Sequence, residues 1–222
     1  MSSYIDNWIV CVTGFTQNEG RITGLERLQT YLHERCHGRR TRVVLKHWKD
    51  CMECLSNRIY NNLPPLEHGS PRITLIGYSY GGCSVIRLCN YLRKCNIRVT
   101  NLLLVDPVWR LWNIPTPLSL LNVWTFTIPK NVKNVWYWRQ NFNKPSGHSI
   151  KLESRVTHWR NEGQLPLNEP HSAMDELLEV HKVALDVSCP TKDNNHAKRA
   201  IDDMYLSDVA LTSERLRDIG TA

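Results

Sequence analysis

The sequence predicts an α/β fold, a mostly parallel central sheet with helices on both faces in a three-layer sandwich. Three observations carry this. Short apolar runs alternate with segments of helical periodicity along most of the chain. Those runs are nearly continuous in apolar residues, the pattern of strands buried on both faces. A chain of 222 residues is also long enough for one domain with a sizeable core.

The elements follow in order. Trp8 to Val12 reads as a buried strand that ends at Thr13-Gly14-Phe15-Thr16. Leu25, Leu28, Tyr31 and Leu32 recur at helical spacing, and His37-Gly38 closes that helix. Thr41 to Leu45 is a second strand, and Asp50 to Asn62 a helix that stops before Pro64-Pro65. Ile73 to Ile76 is the third strand. Gly82 to Leu92 is the helix behind it, with Val85, Ile86, Leu88, Cys89 and Leu92 on its buried side. Asn101 to Val105 and Val132 to Trp138 are the fourth and fifth strands, and Arg155 to Trp159 a sixth. Ala173 to Leu185 is the closing helix. Residues 1–188 form the domain, and 189–222 a polar C-terminal segment, either a surface helix around Ala197 to Leu211 or a tail.

Composition narrows the function classes. Met1 to Val12 has no basic leader, and Asp6 and Asn7 break its apolar run, so no signal peptide is expected. No apolar stretch reaches the ~20 residues needed to span a bilayer. There is no N-x-S/T acceptor, and Cys11, Cys83 and Cys89 lie in apolar interiors, where thiols pack as small hydrophobes. A reducing, cytoplasmic setting is therefore expected for the eight cysteines. The net charge of +7 is concentrated in part at His37-Gly38-Arg39-Arg40-Thr41-Arg42. That knot is read as a solvated loop, with nucleic acid not expected as a partner, because no RNA-binding signature surrounds it. His47, Cys51 and Cys54, with Cys36 and His37 upstream, resemble metal ligands, but the C-x-x-C has no second pair. No metal is expected.

The chemistry is concentrated in Ile73 to Ser84, ITLIGYSYGGCS. Gly77-Tyr78-Ser79-Tyr80-Gly81 is a G-x-S-x-G between a strand and a helix. A serine at so sharp a turn needs glycine two places before and after, since a β-carbon there would strike the adjoining strand or helix. The alternative is a Gly-rich turn in some other α/β fold. A serine hydroxyl becomes a nucleophile only when an oriented base takes its proton. Asp106 follows the strand NLLLV at the same sheet edge as Ser79, one strand over, and is the expected acid. No carboxylate follows Val132 to Trp138, so the competitor is Glu153. Of the nine histidines, His148, His158, His171, His181 and His196 lie beyond Asp106. His171 precedes Ser172-Ala173-Met174-Asp175, a capping-box pattern with Ser172 as N-cap. That places His171 on a loop before the last helix, free to reach Ser79, with His148 next in line. The oxyanion donors are expected from the N–H of Tyr80 and from Phe15 or Thr16, beside Gly14. Tyr78, Trp109 and Trp112 are candidate substrate contacts, the two tryptophans within an apolar stretch that is either a lid or a core-covering loop.

GYSYGG, LLLVDPV and PHSAMD together resemble a small lipase- or esterase-like serine hydrolase of the α/β-hydrolase superfamily, over roughly Ile9 to Leu185. The resemblance implies a reduced form of that fold, with fewer strands and a small cap. It also implies an acyl-enzyme on Ser79, with His171 as base and Asp106 as its orienting acid. A small ester or thioester would be the substrate, and no organic cofactor is implied. The first loop reads TGFT where lipases carry HG or HGGG. The alternative is a non-catalytic hydrolase-like module that binds a protein or nucleic acid; tight burial of Ser79, or no histidine near it, would favour it.

Overall fold

The computed structural model describes residues 4–15, 22–36, 40–65, 70–109, 125–140, 142–143, 145–154, 158–161 and 170–189. The expectations for Thr16, His37-Gly38, Leu111 to Leu121 and the C-terminal segment lie outside them.

The elements are β1 (Asn7–Thr13), α1 (Gly24–Arg35), β2 (Thr41–His47), α2 (Met52–Tyr60), β3 (Arg72–Tyr78), α3 (Tyr80–Lys94), β4 (Val99–Val105), β5 (Thr125–Ile128), β6 (Val132–Trp138), β7 (Ser149–Leu152), β8 (His158–Asn161), a 3-10 turn (His171–Glu176) and α4 (Leu178–Ser188). A six-stranded sheet has the order β2-β1-β3-β4-β6-β8, and all its pairings are parallel. β5 and β7 pair separately, also in parallel. The sequence did not reveal these two, because TFTI and SIKL are four residues each and carry no continuous apolar run.

The strand period explains why the runs are apolar throughout. On β1, Trp8, Val10 and Val12 face one core, with Met52, Leu55 and Ile59 of α2 and Val85, Leu88 and Leu92 of α3. Ile9 and Cys11 face the other, with Leu25, Leu28 and Leu32 of α1 and Val180 and Ala184 of α4. Helices thus cover both faces. β1 leads into a helix on one face and its neighbour β3 into a helix on the other. Their carboxyl ends flank a topological switch point, where open α/β sheets place their ligands.

One row across the sheet is polar, with Thr74 and Asn101 buried and Asn134 half-buried. In register across β3, β4 and β6, Asn101 donates to Thr74 at 3.0 Å and to the Val187 carbonyl at 3.0 Å, while Asn134 donates to Asn101 at 3.0 Å. This row ties the end of α4 to the sheet.

The closing segment differs from its expectation. Ser172 does not cap a continuous helix; Pro170 precedes a 3-10 turn, and Leu177, at φ −62° and ψ 124°, separates that turn from α4. The extended backbone at Leu177 breaks the i→i−4 ladder. Asp175 instead accepts from the Leu25 N–H at 3.1 Å, so it caps the first turn of α1. His181 lies against the Asp175 carbonyl through Nε2 at 2.7 Å.

The expectation that all cysteines are thiols is corrected at four positions. Cys36, at the end of α1, is bonded to Cys189 at the end of α4, and Cys51 is bonded to Cys54. Cys11, Cys83 and Cys89 are buried thiols, with Cys11 pushed up to about 12 by burial. In the basic knot, Arg40 pairs with Asp6 at 3.1 Å and Arg42 lies over the Trp8 ring. Among the described residues no helix is long and apolar enough to cross a membrane.

Two outcomes follow. Asn101→Leu strands the Thr74 hydroxyl and the Val187 carbonyl, so it should cost about 1–3 kcal/mol in a urea titration with the slope unchanged. Burial lowers His181 to about 4 from an ordinary 6.5. Between those values the unfolded chain binds a proton that the folded chain does not. Stability present above about 6.5 should therefore fall by on the order of 3 kcal/mol as pH drops to about 4. His181→Gln should flatten that part of the urea-midpoint profile; an unchanged slope would count against this origin.

Candidate active site

β3 delivers Ser79 into a turn of unusual geometry. Its φ is 54° and ψ −121°, a conformation that side chains other than glycine rarely adopt. The surroundings enforce it: the Ser79 N–H donates to the Val105 carbonyl at 3.0 Å, and its own carbonyl accepts from Gly82 and Val108 at 3.0 and 2.9 Å. The flanking glycines have the steric role their spacing suggests. A β-carbon on Gly77 would stand 2.6 Å from the Gly81 carbonyl oxygen, and one on Gly81 would overlap the Val12 carbonyl. Only hydrogen at both places lets α3 pack this close to β1 and β3.

Ser79, His171 and Asp106 form one hydrogen-bonded chain. His171 Nε2 is 2.8 Å from Ser79 Oγ, and Nδ1 is 2.5 Å from Asp106 Oδ2. Asp106 is fully buried, at φ 45°. Its other partners are the Gln140 N–H at 3.1 Å, the Gln140 side-chain amide at 3.2 Å and the Gly147 N–H at 2.7 Å. All three donate, so the carboxylate is the acceptor and Nδ1 carries the ring proton. Nε2 is then left with its lone pair towards the serine hydroxyl, the tautomer needed to receive its proton.

The imidazole is held on further sides. Tyr78 stacks on it with centroids 5.2 Å apart and donates its hydroxyl to the His171 carbonyl at 2.5 Å. Burial, then the charges of Asp175, Asp106 and Glu176, push the Tyr78 phenol far up, so it remains a donor. The His171 N–H donates to Asn143 Oδ1 at 2.9 Å. Tyr78, expected as a substrate contact, is buried, and its hydroxyl is engaged at the His171 carbonyl.

The other candidates are dispersed. Glu153 binds Arg93 at 2.8 Å and the Lys130 N–H at 2.9 Å. Arg93 is at the far end of α3, which at ~1.5 Å per residue is about 20 Å from Ser79. His148 is buried, with Nε2 2.9 Å from the Trp109 carbonyl, and burial lowers its pKa. His181 packs inside α4. The His158 side chain and His196 lie outside the described residues, as does Trp112. Trp109 is half-buried, and its carbonyl serves His148.

Gly14 closes against the serine: a β-carbon there would be 2.8 Å from Ser79 Cβ. Phe15 is the next residue, and its ring lies 5.8 Å from that of Tyr80 at the start of α3. The rings of Phe15, Tyr80 and Trp48 cluster there, with centroids 5.0 to 5.9 Å apart, and Phe15 is 44% exposed. Trp48, Gln140 and Asn143 were not singled out from sequence. The one available signal was that each follows a strand on the edge that carries Ser79 and Asp106.

Among the described residues no cluster of three or more His, Cys, Asp or Glu side chains could hold a metal. Cys36 is bonded to Cys189 and Cys51 to Cys54, and His37 lies outside the described residues. No family model matches this chain, and neither does any curated protein.

The short Nδ1–carboxylate contact should give a ring-proton NMR signal well downfield of the amides. Asp106→Ala should abolish it and Ser79→Ala should keep it. A signal that survives Asp106→Ala would assign the proton elsewhere.

Proposed function

We propose that this chain is a serine hydrolase of the α/β-hydrolase type, cleaving a carboxylic ester or thioester through an acyl-enzyme on Ser79. The observation that carries the reading is the single imidazole of His171 placed between a buried carboxylate and a serine in strained backbone geometry. A structural histidine needs no such pairing.

In this mechanism Ser79 Oγ attacks the acyl carbon as Nε2 of His171 takes its proton. Asp106 keeps the Nδ1 proton in place and stabilises the imidazolium that forms. The tetrahedral oxyanion lies towards the N-terminus of α3, where the Tyr80 N–H donates, and towards the backbone of Phe15. His171 then returns its proton to the departing alkoxide or thiolate. Water repeats the sequence to release the acid. The ring cluster of Phe15, Trp48 and Tyr80 adjoins the acyl position and suits an apolar acyl group.

One observation favours a second reading. Ser79 is only 4% exposed, as a non-catalytic binding module would have it. A fluorophosphonate probe separates the two. It should label Ser79 alone, and Ser79→Ala should lose both labelling and turnover of a p-nitrophenyl ester. His171→Ala should lower turnover about a thousandfold or more, while His148→Gln and Glu153→Gln stay near wild type. A folded protein that is neither labelled nor active would support the binding module.

A further inference from the structure

The Cys51–Cys54 pair remains unused by the reading above, and its placement has its own chemistry. β2 ends at His47, and a turn closed by the Asp50 N–H on the His47 carbonyl at 2.9 Å leads to Cys51, the N-cap of α2. Cys51 Sγ accepts the Cys54 N–H at 3.1 Å, and the two residues, with Cα atoms 5.3 Å apart, are bonded and exposed.

A bond across so short a loop does little for the fold. Cross-links stabilise by restricting the unfolded chain, and this one spans a separation of 3 within a turn that the helix already orders. The Cys36–Cys189 bond is the contrast. It spans a separation of 153, joins the ends of α1 and α4, and starts from a buried Cys36. That bond is a staple. In the short pair, opening the bond leaves Cys51 as a thiolate at a helix N-terminus, with an N–H already directed at its sulfur. This stabilises the reduced form and raises the reduction potential of the pair. The neighbouring Asp50 carboxylate is offset by Lys46 at 3.4 Å, and Lys49 is close in sequence on the same turn. Glu53, in the first turn of α2, acts in the opposite sense.

We propose that Cys51–Cys54 is a redox-active pair that exchanges electrons with an external thiol–disulfide couple, independently of Ser79. In the reducing direction an external thiolate attacks Cys51 Sγ. The Cys51–Cys54 bond breaks, its electron pair leaves on Cys54, and that thiolate takes a proton. A second external thiolate then attacks the external sulfur of the mixed disulfide. Cys51 departs as a thiolate on the Cys54 N–H, two external thiols become one disulfide, and the chain has gained two electrons. Both residues are exposed, so the external couple can be a small thiol or a dithiol protein.

The test equilibrates wild-type protein in glutathione buffers of increasing reducing strength, traps thiols by alkylation and maps them by mass. Cys51 and Cys54 should open together and reversibly while Cys36–Cys189 stays closed. In Cys54→Ser that also carries Cys95→Ser, which removes the half-buried free thiol of Cys95, oxidised glutathione should add once, at Cys51. The midpoint of the pH dependence of Cys51 alkylation should lie at least about one unit below the ~8.5 of a free thiol. Repeating the equilibration with a reduced dithiol protein identifies the source. Exchange with glutathione indicates a small thiol, and exchange with the dithiol protein alone indicates a protein partner. No exchange with either would overturn the proposal. So would opening only together with Cys36–Cys189, or alkylation with the midpoint of an ordinary thiol.

Discussion

A carboxylate without solvent is the constraint on which the site depends. Asp106 is fully buried, and a buried charge is tolerated only when its oxygens are filled by donors. Those donors come from the loop after β6, through Gln140, from Gly147 ahead of β7, and from His171 at the head of the 3-10 turn. None is near Asp106 in sequence. The three segments therefore gain most when they arrive together, and withdrawal of one leaves the carboxylate short of a partner. Gly147 shows how tight the fit is, since a β-carbon there would run into Asp106 Oδ1. The positive φ of Asp106 belongs to the same arrangement, held by its N–H on the Trp138 carbonyl at 2.8 Å. Strain of that kind costs about 1–3 kcal/mol and persists only where the surroundings over-determine it.

The imidazole is placed by a second long-range contact. Asp175, four residues beyond His171, gives its carboxylate to the N-terminal turn of α1, while Glu176 pairs with Arg27 at 2.8 Å. The exposed Arg27–Glu176 pair contributes little in water. The buried contact at a helix N-terminus is the stronger anchor. With the turn fixed to α1 and Tyr78 stacked on the ring, His171 has one orientation in which its nitrogens meet both Asp106 and Ser79. The sheet topology supplies the rest, because α1 and α3 leave adjacent strands on opposite faces and open the space at their carboxyl ends.

Much of this was legible in the sequence because it rests on neighbours in the chain. The strand–turn–helix around Ser79 follows from glycines two residues either side of it. Asp106 was legible because an apolar strand ends there, and strands in a parallel sheet end on one edge. His171 is marked in the sequence by a capping pattern that the structure uses differently. Ser172 caps nothing, and Asp175 caps a helix 150 residues away in sequence. Gln140 and Asn143 are not legible in the sequence, because an amide carries no charge to mark it as a partner of Asp106 or His171. Trp48 is not legible in the sequence because nothing in HWKDC shows that its ring meets Tyr80 across the helix–strand unit α2–β3.

The sequence by itself determined the alternation of strands and helices, the two-faced burial of the sheet and the strained turn that carries Ser79. Each follows from the period of apolar residues or from steric limits over a few consecutive positions, and these act before any long-range partner is chosen. Tertiary structure alone decided which cysteines pair, which helix Asp175 caps, that Glu153 goes to Arg93, and which donors fill the Asp106 carboxylate. In those cases several chemically equivalent residues compete for one partner. The choice falls to whichever the packed sheet brings within hydrogen-bonding or bonding distance, a quantity that composition and spacing do not contain.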